Sequence, residues 1–238
     1  MTCQSPIVVA LDYPTMTQSI EMAKRLDPSQ CRVKVGKELF TTAGPVILDE
    51  LHKLGFDIFL DLKFHDIPNT VANAVSAAAR AGVWMVNVHA TGGRRMMEAS
   101  ANALQSLASQ SGKDKTLLIA VTVLTSMDQS DLAEIGIDLT PEQHVNRLAK
   151  LAQSSGMDGV VCSAQESKML STELGQDFAL VTPGIRPVGA DQGDQKRIMT
   201  PQEAMAAGSH YLVMGRPITQ ADDPIAVLTS VNQSLLAN

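Results

Sequence analysis

Phe56-Asp57-Ile58-Phe59-Leu60-Asp61-Leu62-Lys63-Phe64-His65-Asp66-Ile67-Pro68-Asn69-Thr70 is an apolar run that ends in a charged turn. The part from Phe56 to Leu60 reads as a buried strand. Side chains alternate along a strand, so Asp61 and Lys63 are expected to share one face, with Phe64 on the other. Val or Ile would serve a core better at both positions. An acid and a base held side by side at a strand end, just before a turn containing Pro68, therefore point to a site. The plain alternative is an exposed ion pair, which is common and contributes little. Against it stand a further acid at Asp66, and Asp12 and Lys34, which close two earlier strand-like runs.

The same unit recurs along the chain: a short β-branched or Leu-rich run, then a longer Ala-rich stretch. Strand-like runs fall at residues 7–11, 32–35, 57–62, 84–89, 117–124, 159–162, 178–182 and 210–214. Helix-compatible segments lie between them, at 18–26, 71–81, 96–109, 144–153, 163–174 and 201–207. Thr140-Pro141-Glu142 and Thr200-Pro201-Gln202 are plausible starts, an N-cap followed by Pro at the first helical position. Strands alternating with helices imply right-handed βαβ units and a parallel sheet. Eight such units predict a closed (β/α)8 TIM barrel, one domain spanning residues 1–238. A doubly wound open sheet would need a Gly-rich turn after its first strand, and Asp12-Tyr13-Pro14-Thr15 is not one.

Composition agrees. Of 238 residues, 45% are hydrophobic and only 3% aromatic, so the core must be aliphatic, as suits a parallel sheet under helices. The net charge of -6 and the lack of a long basic run argue against a nucleic-acid partner. No apolar stretch approaches the length of a membrane helix, and no secretory signal is visible at the N-terminus. Cys3, Cys31 and Cys162 are an odd, scattered set that reads as free thiols in a reducing cytoplasm, with Cys162 a small buried hydrophobe.

The barrel gives the polar residues a place, because barrel active sites form at the C-terminal strand ends. Asp12, Lys34, Asp61, Lys63, His89, Thr125, Ser163, Arg186 and Arg216 all fall there, and no N-terminal strand end is expected to carry a comparable collection. Met214-Gly215-Arg216-Pro217 closes the eighth strand. A small residue followed by Arg fits a phosphate site after strands seven and eight, and fits an ordinary turn with a surface Arg equally well. Thr182-Pro183-Gly184-Ile185-Arg186 ends the seventh strand, and the long polar loop from Pro187 to Thr200 reads as a lid. No metal site stands out among His52, His65, His89, His144 and His210. His52 and His144, on helical segments, are expected to face solvent.

Taken together, these residues resemble the bacterial orotidine 5′-phosphate decarboxylase family over nearly the whole chain. The likeness is carried by Val9-Ala10-Leu11-Asp12, Lys34-Val35-Gly36-Lys37, the block from Asp61 to Thr70, Val123-Leu124-Thr125-Ser126, Thr182-Pro183-Gly184-Ile185-Arg186, Gly193-Asp194-Gln195 and Gly215-Arg216. The block from Asp61 to Thr70 is highly specific. The resemblance implies decarboxylation of orotidine 5′-phosphate to UMP and CO2 by a homodimer that needs neither metal nor organic cofactor. It implies that Lys63 protonates C6, and that Lys34, Asp61, Lys63 and Asp66 form an alternating charged network. It further implies that Asp66, Ile67 and Thr70 enter the neighbouring subunit's site, and that Asp12 and Lys34 hold ribose hydroxyls. Thr125 and Ser126 would lie near the pyrimidine. Arg186, Gln195, Gly215 and Arg216 would surround the phosphate.

The nearest alternative is a sugar-phosphate decarboxylase of the same barrel group, of the keto-gulonate phosphate type, which shares an Asp-x-Lys-x-x-Asp pattern but uses Mg2+. A phosphate-ligand binding protein that lost catalysis, and a Schiff-base aldolase using Lys63 or Lys34, are more distant rivals.

Overall fold

In the computed structural model, which describes residues 3–112, 115–187 and 199–236, eight short parallel strands close into a barrel. They are β1 (Ile7–Ala10), β2 (Arg32–Gly36), β3 (Ile58–Phe64), β4 (Met85–His89), β5 (Leu117–Val121), β6 (Gly159–Val161), β7 (Ala179–Thr182) and β8 (Tyr211–Met214), each paired with its sequence neighbour and β8 with β1. The eight expected runs all form, within one or two residues at each end except the fifth, which stops at Val121 rather than Leu124. Around them lie α1 (Met16–Ala23), α2 (Lys37–Ala43), α3 (Val46–Lys53), α4 (Pro68–Arg80), α5 (Arg94–Ser111), α6 (Gln129–Glu134), α7 (Pro141–Ser154), α8 (Ala164–Leu174), α9 (Pro201–Ala206), α10 (Arg216–Thr219) and α11 (Pro224–Leu236). Helices α2, α3, α6, α10 and α11 were not among the expected segments. The starts at Thr140 and Thr200 are capping boxes with Pro in the first turn, and Ser163–Glu166 makes another.

Strand residues alternate between two cores. Cys31, Val33 and Val35, for example, face outward into the layer between sheet and helices, with Leu60, Val86, Val88, Leu118 and Leu180. Val8, Ala10, Phe59, Met85, Ile119, Val181 and Val213 face inward and fill the barrel. The strands are therefore buried on both sides, which is why they read as mainly apolar runs. Phe59 is the largest of these interior side chains, and truncating it would cost roughly 3–5 kcal/mol.

The N-terminal end of the barrel is more polar than expected. Arg32 points inward there, its guanidinium 4.3 Å from the Trp84 ring centroid and 5.4 Å from that of Tyr211. It donates to the Cys3 and Ser5 carbonyls at 2.6 and 2.7 Å and lies 3.5 Å from Asp57. Lys115 pairs with Asp158 at 2.6 Å, and Asp158 also accepts the Leu118 N–H at 2.7 Å. Each charge at this end has a partner that neutralises it or a backbone group that it caps, and the aromatic rings close the floor. The collection expected at the other end has no equal here, but the charged pairs Arg32–Asp57 and Lys115–Asp158 were not foreseen.

His144 is corrected. It is buried on α7, and burial followed by the nearby Arg147 charge lowers its pKa. Position 144 falls on the stripe with Val145, Leu148, Ala149 and Ala152 that faces the core.

Candidate active site

The C-terminal mouth of the barrel opens into a cavity of about 570 Å3. Asp12, Lys34, Asp61 and Lys63 line one side, carried by the ends of β1, β2 and β3. Arg186, Gly215 and Arg216 follow β7 and β8, and β7 stands opposite β3 in the strand order. Ala10, Phe59, Val121 and Val213, on β1, β3, β5 and β8, provide apolar lining. The cavity holds four cations (Lys34, Lys63, Arg186, Arg216) against two carboxylates (Asp12, Asp61), an excess of positive charge in a chain whose net charge is -6. Such a cavity favours an anionic ligand with both polar and flat apolar surface.

Asp61 is the centre of the charged side. Its Oδ1 receives Lys63 Nζ at 2.6 Å and Asn87 Nδ2 at 2.7 Å, and its Oδ2 lies 3.4 Å from Lys34 Nζ. Lys34 Nζ also reaches Asp12 Oδ1 at 2.9 Å. The result is a chain Asp12–Lys34–Asp61–Lys63 of alternating sign. Gly36, at the end of β2, leaves room for it, since a Cβ there would lie 3.3 Å from both Asp12 Oδ1 and Lys34 Nζ.

Burial would push Asp61 up, but Lys34 and Lys63 outweigh it and hold the carboxyl below its ordinary range. Burial would likewise push Lys34 down, but Asp61 and Asp12 hold it above its ordinary value. Both shifts keep the pair ionised through neutral pH. The stabilisation from Asp61 is lost only as pH falls through its depressed pKa, and that from Lys34 only as pH rises through its raised one.

Asp61 and Lys63 do share a face, but not by plain alternation. Between Leu60, opposite Val86, and Phe64, opposite Val88, β3 carries more residues than β4, so the register shifts and only Asn87 stands across from the bulge. Lys63 takes a φ of 53° there. Leu62 and Phe64 pack outward.

The other expected site residues divide. Thr125 lines the cavity, whereas Ser126 is exposed and lies outside its lining. Arg186 is buried, donating to the Ile185 carbonyl at 3.0 Å. Asp66, Ile67 and Thr70 are exposed and do not line this chain's own cavity. Asp66 and Ile67 instead border a separate surface hollow with His65, Gly92, Arg94 and Arg95, and the Asp66 carboxylate accepts the Ile67 N–H at 2.6 Å. Gln195 and most of the expected lid lie outside the described residues; the loop's ends meet in a bridge between Ile185 and Met199. Among the described residues no group of three or more His, Cys, Asp or Glu is placed to hold a metal ion. Asn87 was missed, although a lone polar residue within the run Met85-Val86-Asn87-Val88 was its signal.

A (β/α)8 barrel with a cation-rich mouth and an ionised Asp–Lys–Asp–Lys chain defines an enzyme acting on a small anionic substrate. Residues 5–231 match the family model described as Orotidine 5'-phosphate decarboxylase / HUMPS family, and the chain belongs to that family. The family catalyses the final step of pyrimidine nucleotide synthesis. The chain is 86% identical to an orotidine 5'-phosphate decarboxylase of Marinomonas sp. (strain MWYL1), over 99% of this chain and 98% of that one. It is 63% identical to one from Vibrio vulnificus (strain CMCP6), over 96% and 97% of the two chains. The crystal structure of the orotidine 5'-phosphate decarboxylase from Lactobacillus acidophilus superposes with a TM-score of 0.86 at 40% identity, covering 98% of this chain and 99% of that one.

Proposed function

We propose that this chain decarboxylates orotidine 5′-phosphate to UMP and CO2 without metal or organic cofactor. The observation that carries the reading is the ionised chain Asp12–Lys34–Asp61–Lys63, set across a cavity from Arg186 and Arg216.

In this reaction the C6–carboxylate bond breaks, CO2 leaves, and the electron pair stays on C6. No carbonyl is placed to take up that charge by simple conjugation, so fixed positive charge must stabilise it. Lys63 supplies the charge and then the proton: its Nζ–H bond breaks, the C6–H bond forms, and the neutral amine recovers a proton from solvent. Asp61 stands beside the departing carboxylate, and their repulsion is relieved as CO2 leaves. Asp12 and Lys34 hold ribose hydroxyls, and Thr125, which lines the cavity, flanks the pyrimidine; Ser126, turned outward, takes no part. Arg186, Gly215 and Arg216 receive the phosphate, joined by Gln195. Binding energy from that remote phosphate orients the pyrimidine over Lys63.

The working unit is a homodimer in which Asp66, Ile67 and Thr70 complete the partner's site. Their exposure, away from their own cavity, supports this. Residues 1–238 act as one catalytic domain. The cytoplasm is the compartment that suits three free, buried cysteines.

The test is the loss of pyrimidine absorbance when orotidine 5′-phosphate is added in the presence of EDTA. Turnover that survives chelation is expected. Turnover that requires Mg2+ would favour a sugar-phosphate decarboxylase of the keto-gulonate type, and none under either condition would overturn the reading.

A further inference from the structure

Asn87 is fully buried on β4, faces the barrel interior, and is the one residue opposite the β3 bulge. On the β4 side the bulge leaves three β3 residues, Asp61 to Lys63, without ladder partners, although Asp61 still pairs with Gly36 of β2. The Asn87 side chain replaces what the ladder no longer supplies: its Oδ1 accepts the Lys63 N–H at 2.8 Å, and its Nδ2 donates to Asp61 Oδ1 at 2.7 Å. The two partners fix the amide's orientation. An N–H can only donate and an ionised carboxylate can only accept, so the flipped amide would lose both bonds. Asn87 does not line the cavity, so its effect on a substrate there runs through its two neighbours.

We propose that Asn87 is a positioning residue that locks the left-handed backbone of Lys63 to the carboxylate of Asp61, and so sets where the Lys63 ammonium stands. This rests on the decarboxylase reading above. Asp61 Oδ1 is shared by two donors, one charged and one neutral. When Lys63 gives up its proton it becomes a weak partner for Asp61. The neutral Asn87 donor remains and holds the carboxylate and the Lys63 backbone in register for the next turnover. Leu at 87 would fill the space and supply neither bond. Asp at 87 would accept the Lys63 N–H but face Asp61 with a second carboxylate, so that the two share a proton. The other charged or titratable groups around this spot are Lys63 on β3, Lys34 on β2 with its partner Asp12, and His89 further along β4 with His65 and Lys37 near it.

The test is the pH profile of kcat and KM for orotidine 5′-phosphate in Asn87→Asp and Asn87→Leu, with wild type alongside. At neutral pH both variants should lose roughly 100-fold in kcat, the scale of a misplaced reacting group, with KM changed far less. In Asn87→Asp the loss should shrink as pH falls, because the shared proton turns position 87 back into a donor. In Asn87→Leu it should not. A wild-type kcat in either variant overturns the inference, as does a loss equal at every pH in both, which would mark a merely structural role. Should neither variant fold, amide hydrogen exchange in the wild-type enzyme decides: a strongly protected Lys63 N–H is expected, and exchange at the rate of an open amide contradicts the lock. Failure of the wild-type enzyme to turn over the nucleotide would instead defeat the decarboxylase reading itself.

Discussion

Lys63 is the only non-glycine with positive φ among the described residues. That conformation costs about 1–3 kcal/mol and persists where surroundings over-determine it, here the Asp61 ion pair and the Asn87 side chain. Strain of this kind at the proposed proton donor fits pre-organisation. Arg216 works differently. It opens α10 as an exposed side chain on the cavity rim, directly after Gly215. Its exposure before the ligand arrives places its contribution at the low end for a charged contact. Arg216→Ala should weaken binding of UMP by about 2 kcal/mol and leave uridine, which lacks the phosphate, almost untouched. Titration calorimetry with both ligands checks this, and equal losses would remove Arg216 from the phosphate. At this scale the charged residues were legible because Asp or Lys at the end of an apolar run has no core use. Asn87 was not, because its role depends on a register shift that alternation alone does not reveal. Ser126 was drawn in by its neighbour Thr125, yet the chain after β5 turns it outward.

The strands were legible because burial on both faces makes most of them largely apolar runs between polar turns, unbroken in β1 and β5. Helices α2 and α3 were harder to read. They follow β2 with only Gly44 and Pro45 between them, and at 7 and 8 residues each is too short for a clear helical period. Burial of His144 on α7 could be read only from the stripe it shares with Leu148 and Ala152. Close strand approach gives an element-scale prediction. Gly159 pairs with Ala179 across β6 and β7, and a Cβ on it would sit 2.7 Å from the Ala179 Cβ and meet the Ala179 carbonyl oxygen. Backbone cannot yield as a flexible side chain can. Gly159→Ala should therefore destabilise by roughly 1–3 kcal/mol, the usual cost of overpacking. Thermal unfolding should show the midpoint lowered by about 2–4 °C per kcal/mol. An unchanged midpoint would mean that the β6–β7 spacing is looser than described.

For the whole molecule, closure of the barrel gathers Asp12, Lys34, Asp61 and Lys63 from three consecutive strand ends and sets them across from the arginines after β7 and β8. It leaves Asp66, three residues beyond Lys63, outside that cavity. The chain turns at Pro68 into α4, so Asp66 is carried onto the outer surface beside Arg94 and Arg95. The central claim is that a working site joins Lys63 of one chain to Asp66 of a second copy. Lys63→Ala and Asp66→Ala homodimers should each be nearly inactive. Unfolding and refolding an equal mixture puts about half of the dimers in the mixed form, where one site carries both changes and the other carries neither. The measurement is the decarboxylation rate of that remixed sample. The account predicts recovery to roughly a quarter of the wild-type rate by this symmetry. A sample that stays inactive, with mixed dimers shown to be present, would contradict it and return Asp66 to its own subunit.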